Sequence, residues 1–216
     1  MADGDPAFPT PDSALVLEPD CERCPELVEC RNRIAWGNGP LDADVVVVGA
    51  APGAGKPEAA QWKGGNWTGM AYTAQHSGRR IRETMATVGY PDSFYTNAVN
   101  CFPADPEESS TNREPTSEEL ERCREHLRTE LDQVQPDAIV TTGKHATASL
   151  LAIDGERVEG FVDSVLETRP LDAVDATLVP ILHPAYRDVW LSRLGYEKEE
   201  YFEEFGRVLD GIVEQD

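Results

Sequence analysis

Four consecutive valines at positions 45 to 48, bounded by Asp44 and Gly49, constrain the fold of this chain most strongly. β-Branched residues favour strands, and an unbroken apolar run is typical of a strand buried on both faces of a parallel sheet. The run is far shorter than the roughly 18 apolar residues of a membrane-spanning helix. We therefore predict that it forms the first central strand of a folded domain.

Further strands and helices are predicted to alternate along the chain. Helical patterns occupy residues 77–88, 116–134, 144–151 and 198–213, and strand patterns occupy residues 93–99, 137–142 and 176–182. A weak hairpin-like pattern covers residues 158–167. This alternation predicts an α/β fold, a three-layer α/β/α sandwich around a mostly parallel central sheet, which binds its ligands at the carboxyl ends of the strands.

The length of 216 residues fits one domain, which we place at residues 19–216. Residues 1–18 are rich in Pro, Asp and Ala without any period, and are predicted to form a flexible acidic tail. The N-terminus has no basic and apolar leader pattern, so we expect a soluble cytoplasmic protein without membrane contact. Nothing in the sequence demands more than a monomer.

The charge balance is strongly acidic. Asp and Glu number 40 against 19 Lys and Arg, a net charge of −21, and only four of the basic residues are lysines. Such a surface stays hydrated at high salt, so we interpret it as adaptation of a halophile to a salt-rich cytosol of the haloarchaeal kind. The charge argues weakly against nucleic-acid binding, unless a small local face keeps arginines such as Arg79, Arg80, Arg82, Arg187 and Arg193.

The cysteines suggest a metal site. Five cysteines in a cytosolic chain do not fit a disulfide framework. Cys21 and Cys24 form a Cys-x-x-Cys pair, Cys101 follows a strand and Cys123 lies on a predicted helix, which leaves Cys30 without a near partner. Four thiolates fit either zinc or a 4Fe-4S cluster, and free buried thiols remain the alternative.

Three loops that each follow a predicted strand are expected at one edge of the sheet. They begin at Gly49, Asn97 and His183. The first is not a phosphate-binding P-loop, because Ala50 and Pro57 stand where that motif needs Gly and Ser or Thr. Its backbone N–H groups are still suited to face an anionic ligand. Taken alone, His183 is either a histidine that caps its turn or a ligand-binding group.

Six motifs in order resemble the iron-sulfur uracil-DNA glycosylases. They are Cys21-x-x-Cys24, Gly49-x-x-Pro-Gly53, Thr68-Gly69 to Tyr72-Thr73, Tyr95-Thr-Asn-Ala-Val-Asn-Cys101, Asn112-Arg-x-Pro115 to Cys123, and His183-Pro-Ala-Tyr186. The resemblance covers residues 21–210, and the stretch from Gly65 to Gly69 is similar to the family 5 branch. It implies a structural 4Fe-4S cluster on Cys21, Cys24, Cys101 and Cys123, with an acidic insert at 105–110 lengthening the last spacing.

The resemblance also implies roles for the other residues. A uracil flipped out of DNA would stack on Tyr72, and its edge would be read by the Asn97 amide. His183 would donate to the uracil oxygen that gains charge, aided by the Ala50 and Ala51 N–H groups in the loop that ends at Gly53. His183 and Asn97 are thus the predicted catalytic residues. Tyr186, Arg187 and Leu191 are the predicted DNA-binding residues, in a segment that would enter the space left by the base.

One departure affects the functional prediction. Many relatives carry an acidic residue where this chain has Ala50, although the family 5 branch also lacks it. Glu58, His76 and His145 are interpreted as solvated surface groups. We predict a base-excision repair glycosylase that releases uracil, and potentially other deaminated bases, from DNA and leaves an abasic site. A weakly active or inactive uracil- and DNA-binding protein of the same fold is the alternative, and a cluster-bearing redox protein is a more distant one.

Overall fold

A five-stranded sheet forms the centre of the computed structural model, which describes residues 6–57 and 61–214. The strands are β1 (Val45–Gly49), β2 (Phe94–Asn97), β3 (Ala138–Thr142), β4 (Arg169–Leu171) and β5 (Ala176–Ile181). Their order across the sheet is β2-β1-β3-β5-β4, with β4 antiparallel to β5 and the other neighbours parallel. The predicted mostly parallel α/β sheet is therefore confirmed.

Six α-helices surround this sheet in the described part of the chain. They are α1 (Pro25–Cys30), α2 (Arg80–Thr87), α3 (Ser117–Val134), α4 (Lys144–Leu151), α5 (Arg187–Leu194) and α6 (Lys198–Val213). A π-helical turn (Gln75–Arg79) precedes α2, and 3-10 turns lie at Pro11–Ser13, Gly65–Trp67 and Phe161–Ser164. None of the described helices is both long and apolar enough to cross a membrane.

The alternating side chains of β1 divide the core into two layers. Val45 and Val47 pack with residues of α2, α5 and α6 on one face, while Val46 and Val48 pack with α3 and α4 on the other. All four valines are fully buried, and burying each contributes about 1.5–3 kcal/mol. The unbroken apolar run is thus explained by helices on both faces of the sheet, which gives the predicted three layers.

Helix α3 begins with the predicted capping box. Thr116 Oγ1 accepts a hydrogen bond from the Glu119 N–H at 3.2 Å, and a Glu119 carboxylate oxygen accepts from the Thr116 N–H at 2.8 Å. Arg113 donates to both oxygens of the same carboxylate, at 2.8 and 2.6 Å. The start of α3 therefore also fixes the loop that precedes it.

The segment predicted as a tail makes contacts with the domain. The Leu15 N–H donates to the Gly37 carbonyl at 2.8 Å, and the Gly39 N–H donates to the Ser13 carbonyl at 3.1 Å. Leu15 and Leu17 pack against buried clusters, and the burial of their apolar side chains favours these contacts. Ser13, Leu15 and Leu17 therefore contact the domain, whereas residues 1–5 lie outside the described residues, and the flexibility of residues 1–18 stays a prediction.

Two predicted elements differ from those observed. Residues 158–167 contain the short turn Phe161–Ser164 instead of a hairpin, and the antiparallel strand is β4, directly after them. Strand β4 is short and contains Pro170, which is tolerated because β4 lies at the sheet edge. The predicted helix at 77–88 is divided, since α2 follows the π-helical turn.

Candidate active site

One cavity at the carboxyl ends of β1, β2, β3 and β5 brings the predicted binding residues together. Its volume is about 80 Å³. The lining includes every residue to which the sequence analysis assigned contact with the base: Ala50, Ala51, Gly53, Tyr72, Asn97 and His183. Because these residues come from four separate segments, the fold provides the common edge that was predicted for the loops.

The Asn97 side chain ends in a donor without a partner. Asn97 is the last residue of β2 and is 3% exposed, and its Nδ2 is buried with no hydrogen bond within the described structure. Buried polar groups nearly always have partners, so this unpaired amide is available to donate a hydrogen bond to a ligand in the cavity. An amide can donate and accept side by side, as the edge of a pyrimidine base requires.

Tyr72 forms a rigid aromatic wall of the cavity. Its backbone is in the left-handed region, with φ of 52°, and its hydroxyl lies 2.6 Å from Thr142 Oγ1 at the end of β3. Burial raises the pKa of the Tyr72 phenol above its usual range, so the ring stays neutral. Gly78, in the π-helical turn, supports this backbone, because a Cβ there would lie 2.0 Å from the Tyr72 carbonyl oxygen.

The His183 imidazole is held in one tautomer. The Ala185 N–H donates to His183 Nδ1 at 3.2 Å, so the proton of the neutral ring is on Nε2. Burial lowers the pKa of His183, which keeps the ring neutral near pH 7. A neutral ring with Nε2–H at the cavity wall can donate a hydrogen bond to an oxygen that gains negative charge.

Polar residues that the sequence analysis did not select also line this cavity. Asn112, Ser77, Thr73 and Thr142 contribute to the wall. Asn112 arrives from the acidic insert through a bridge to Ala104, and Ser77 belongs to the π-helical turn. The Asn-Arg-x-Pro motif was the available signal for Asn112. No carboxylate lines the cavity within the described part of the chain, and Glu58 lies outside that part.

The predicted DNA-binding segment requires a correction. Tyr186 is exposed, but Leu191 is buried in the core beside α6, and Arg187 is 7% exposed. The Arg187 guanidinium donates to Thr84 Oγ1 at 2.9 Å and lies 4.7 Å from the centre of the Phe202 ring. Arg187 and Leu191 are therefore not placed to meet DNA in this conformation, because α5 directs both inward.

The exposed apolar residues of this segment are instead Tyr186 and Val189, at 64% and 59% exposure. Arg82, considered for a local basic face, is also directed inward. Its guanidinium lies 3.8 Å from the centre of the Tyr95 ring and donates to Asn38 Oδ1 at 2.6 Å. The local basic face is thus smaller than the sequence suggested.

Four of the five cysteines meet beside the core. Cys21, Cys101 and Cys123 are buried in one apolar cluster, and Cys24 packs against its edge. Cys30 ends α1 and is not part of this cluster. The four thiols that the family resemblance implied thus lie around one apolar cluster, and their role as metal ligands stays a prediction.

The surroundings of these thiols suit a bound metal group. The Asn100 N–H donates to Cys123 Sγ at 3.5 Å, and Arg31 Nη1 donates to Cys101 Sγ at 3.3 Å. Burial and the neighbouring thiols raise the pKa of Cys123 to about 12, and burial also raises the pKa of Cys24 and Cys101. Cys24, Cys101 and Cys123 are therefore poor isolated anions, and a bound cation would stabilise their thiolate forms.

A smaller set of possible ligands lies at one corner of the same cluster. One ligand atom each from Glu18, Cys21 and His126 lies within 4.8 Å of the others. His126 is buried and packs edge-on against Trp36, and its Nε2 lies 3.4 Å from a carboxylate oxygen of Glu18. This set shares Cys21 with the four-cysteine site, so the two arrangements compete for one sulfur.

Comparison with known proteins shows which family has sequence similarity to this chain. A family model for the uracil DNA glycosylase superfamily matches residues 36–210. A Type-5 uracil-DNA glycosylase of Pyrobaculum aerophilum is 29% identical over 208 residues, covering 82% of this chain and 84% of the relative. A Type-4 uracil-DNA glycosylase of the same organism is 30% identical, with coverage of 77% and 78%.

A further Type-4 uracil-DNA glycosylase, from Archaeoglobus fulgidus, is 27% identical over 193 residues and covers 87% of both chains. The match to the family model includes all five strands and the cavity at their carboxyl ends. The family match and the mostly parallel sheet therefore indicate the same fold. The chain belongs to the uracil DNA glycosylase superfamily.

Proposed function

We propose that this protein is a DNA-repair glycosylase that hydrolyses the bond between uracil and deoxyribose in DNA. Water adds to C1′ of the sugar, the bond from C1′ to uracil N1 breaks, and the base leaves as an anion that takes up the released proton. Free uracil and an abasic site are the products. The family membership and the names of the relatives support this reaction class.

The unpaired Nδ2 of Asn97 is the observation that carries the proposal. A uracil seated in the cavity would accept a hydrogen bond from Nδ2 and donate from N3–H to Oδ1, which would satisfy the buried amide. Thymine presents the same edge, so the Tyr72 wall and the narrow cavity must exclude its methyl group. Cytosine presents the opposite donor and acceptor pattern and would leave both amide atoms opposed to like groups.

His183 stabilises the departing anion in this proposal. Negative charge accumulates on the uracil oxygen next to N1, and the His183 Nε2–H donates to that oxygen without transferring its proton. Backbone N–H groups of Ala50 and Ala51, which line the same cavity, supply further positive dipoles. Loss of one such donor typically costs about 100- to 1000-fold in rate, so His183 is expected to carry a large share of the catalysis.

Cys21, Cys24, Cys101 and Cys123 are proposed to hold a 4Fe-4S cluster. When bound, the cluster would supply iron–thiolate bonds that stabilise the local fold, with no role in the hydrolysis. The apolar shell around Leu27 and Trp36 and the N–H donors to two of the sulfurs fit such a group. The four-cysteine set is preferred over the Glu18, Cys21 and His126 set because it uses every buried cysteine.

The test is uracil release in high salt from an oligonucleotide that contains one uracil. Brown protein that yields alkali-labile breaks only at uracil supports the proposal. Asn97→Ala should reduce release at least 100-fold while the circular dichroism spectrum and iron content are unchanged. Asn112→Ala is a second variant of the same cavity, and Asn32→Ala, outside the cavity, is the matched control. Full activity of Asn97→Ala would reject this assignment.

A binding protein without catalysis is the second candidate, because no carboxylate lines the cavity in the described part of the chain. That protein would retain a uracil-containing oligonucleotide and release no base. Adaptation to a salt-rich cytoplasm is proposed from the net charge of −21, and a monomeric state is proposed because nothing in the sequence demands more.

A further inference from the structure

A second, larger cavity opens beside the candidate active site. Its volume is about 640 Å³, within the range of ordinary ligand sites, against about 80 Å³ for the first cavity. His183 lines both cavities, and Tyr186 lines the larger one. The two cavities are therefore neighbours, and a DNA strand with one nucleotide in the first cavity would run close to the second.

Aromatic side chains form the apolar wall of this second cavity. Phe161, Tyr186 and Trp190 all line it. Phe161 and Trp190 are half-buried against the core, and the Arg193 guanidinium lies 5.0 Å from the centre of the Trp190 ring. Half-buried aromatic rings beside a polar rim are the usual platform on which the bases of single-stranded nucleic acids stack.

The rim of the cavity carries a lysine, in a chain that has very few of them. Lys144, one of four lysines, begins α4 and makes no ion pair within the described structure. The next residue, His145, also lines the cavity, and its Nε2 lies 2.8 Å from a carboxylate oxygen of Glu114. Glu114 is thereby occupied by a partner, which leaves the Lys144 ammonium available for a phosphate.

One loop connects the walls of the two cavities. Asn112 lines the first cavity, and Glu114, two residues later, lines the second and contacts His145. The bidentate contact of Arg113 with Glu119 fixes the loop between them. This contact holds the loop that contributes to both cavities.

We propose that the second cavity is a subsite for a nucleotide adjacent to the uracil nucleotide in the same DNA strand. The adjacent base stacks on Trp190 and Phe161, and its phosphate lies near Lys144. This inference rests on the proposed function for the identity of the polymer. It adds that the affinity of the protein for uracil-containing DNA depends on the bases next to the uracil. The protein should bind best to DNA strands in which those bases are free to unstack.

The experiment measures binding of fluorescent single-stranded oligonucleotides that carry one hydrolysis-resistant 2′-fluoro-deoxyuridine. One oligonucleotide has normal bases beside the uracil, and a second has abasic tetrahydrofuran units at those positions. Stacking of one base predicts that Trp190→Ala raises Kd about 5- to 100-fold for the first oligonucleotide and less than twofold for the second. Equal losses on both oligonucleotides would overturn the proposal.

Several variants keep this test decisive. Trp190→Phe should restore most of the affinity, because it keeps a ring at that position. Tyr196→Ala is the matched control, since Tyr196 contacts the same core but lines neither cavity. If Trp190→Ala melts at much lower temperature, Lys144→Ala replaces it, because Lys144 is exposed and its loss should not unfold the protein. Both oligonucleotides keep the phosphate, so Lys144→Ala should weaken binding of both, and unchanged binding of both would overturn the proposal.

The outcomes also separate this inference from the proposed function. Uracil release by the wild type together with no Trp190-dependent effect of the neighbouring bases would reject the subsite alone. A Trp190-dependent effect without any uracil release would keep the subsite and reject the glycosylase. Self-association lost in Trp190→Ala, with DNA binding unchanged, would assign the cavity to a second copy of the chain and overturn the proposal.

Discussion

Gly49 and Asn97 are register partners on neighbouring strands, and a Cβ on Gly49 would lie 2.6 Å from Asn97 Oδ1. The same Cβ would lie 2.7 Å from the Tyr72 hydroxyl oxygen. Gly49→Ala should therefore displace the amide and the ring together and reduce uracil release at least 100-fold. Gly211→Ala is the control, because a Cβ there meets nothing within 4 Å. Unchanged kcat/KM in Gly49→Ala would contradict the described role of Asn97.

The tautomer of His183 predicts a pH dependence. Burial lowers the pKa of His183 in the folded protein, so the active neutral ring should persist below the usual value of about 6.5. Protonation of Nδ1 at lower pH would remove the acceptor of the Ala185 N–H and displace the ring. The rate of uracil release should thus stay level from pH 8 to about 6.5 and fall only below it.

His183→Gln should keep an N–H donor, lower the rate about 10- to 100-fold and remove this acidic fall. His76→Gln, at an exposed position outside the cavity, should leave the profile as in the wild type. A fall centred above pH 7 that persists in His183→Gln would assign the dependence to another group.

The four-cysteine site predicts which thiols are needed for metal. Cys101→Ser and Cys123→Ser should lose most of the iron and the visible absorbance, because both sulfurs lie in the buried cluster. Cys30→Ser should retain them, since Cys30 is outside this cluster. Iron per chain and the absorbance of anaerobically purified protein provide the measurement. Loss of iron from Cys30→Ser alone would require a different ligand set. One zinc per chain in the wild type would show that the four cysteines bind zinc and not a cluster.

The buried carboxyl of Glu130 predicts how stability changes with pH. It accepts a hydrogen bond from the Gly37 N–H at 3.0 Å and another from the Thr96 hydroxyl. Burial raises the pKa of Glu130 to about 7, against roughly 4.3 in the unfolded chain. The folded state then binds the extra proton between these values, so this stabilisation is present at low pH and is lost as the pH rises to about 7.

In Glu130→Gln the side chain does not titrate and can still accept from Gly37. Relative to the wild type, this variant should gain roughly 3 kcal/mol between pH 4.5 and pH 7.5, measured by urea unfolding at constant salt. Glu121→Gln, on an exposed face of the same helix, should show no such trend. A constant difference between wild type and Glu130→Gln would mean that the carboxyl does not titrate in this range.

The sequence was sufficient where one local signal determined the structure. The valine run predicted β1, the capping box predicted the start of α3, and the bounds of α4 and α6 were predicted as observed. Strand β4 has only three residues and includes Pro170, so its local signal is weak and its pairing with β5 is decided by the sheet edge.

The candidate site was predictable only in part, because some of its residues are placed by long-range packing and not by a local pattern. Loops that follow parallel strands must meet at one edge, which is why Asn97 and His183 could be expected together. The inward direction of Arg187 and Leu191 depends on how α5 packs against α6, and no local pattern encodes that packing. The return of Asn112 to the cavity depends likewise on the path of the insert.

The four clustered cysteines have a consequence for the whole chain. Cys21 and Cys24 belong to the N-terminal segment, Cys101 follows β2 by four residues, and Cys123 lies within α3. A metal group held by all four would be a cross-link that closes loops of about 80 and 20 residues and removes much of the freedom of the unfolded chain. Because Cys101 lies four residues after Asn97, this cross-link would hold the segment that positions the Asn97 amide, and loss of the metal group would loosen that segment.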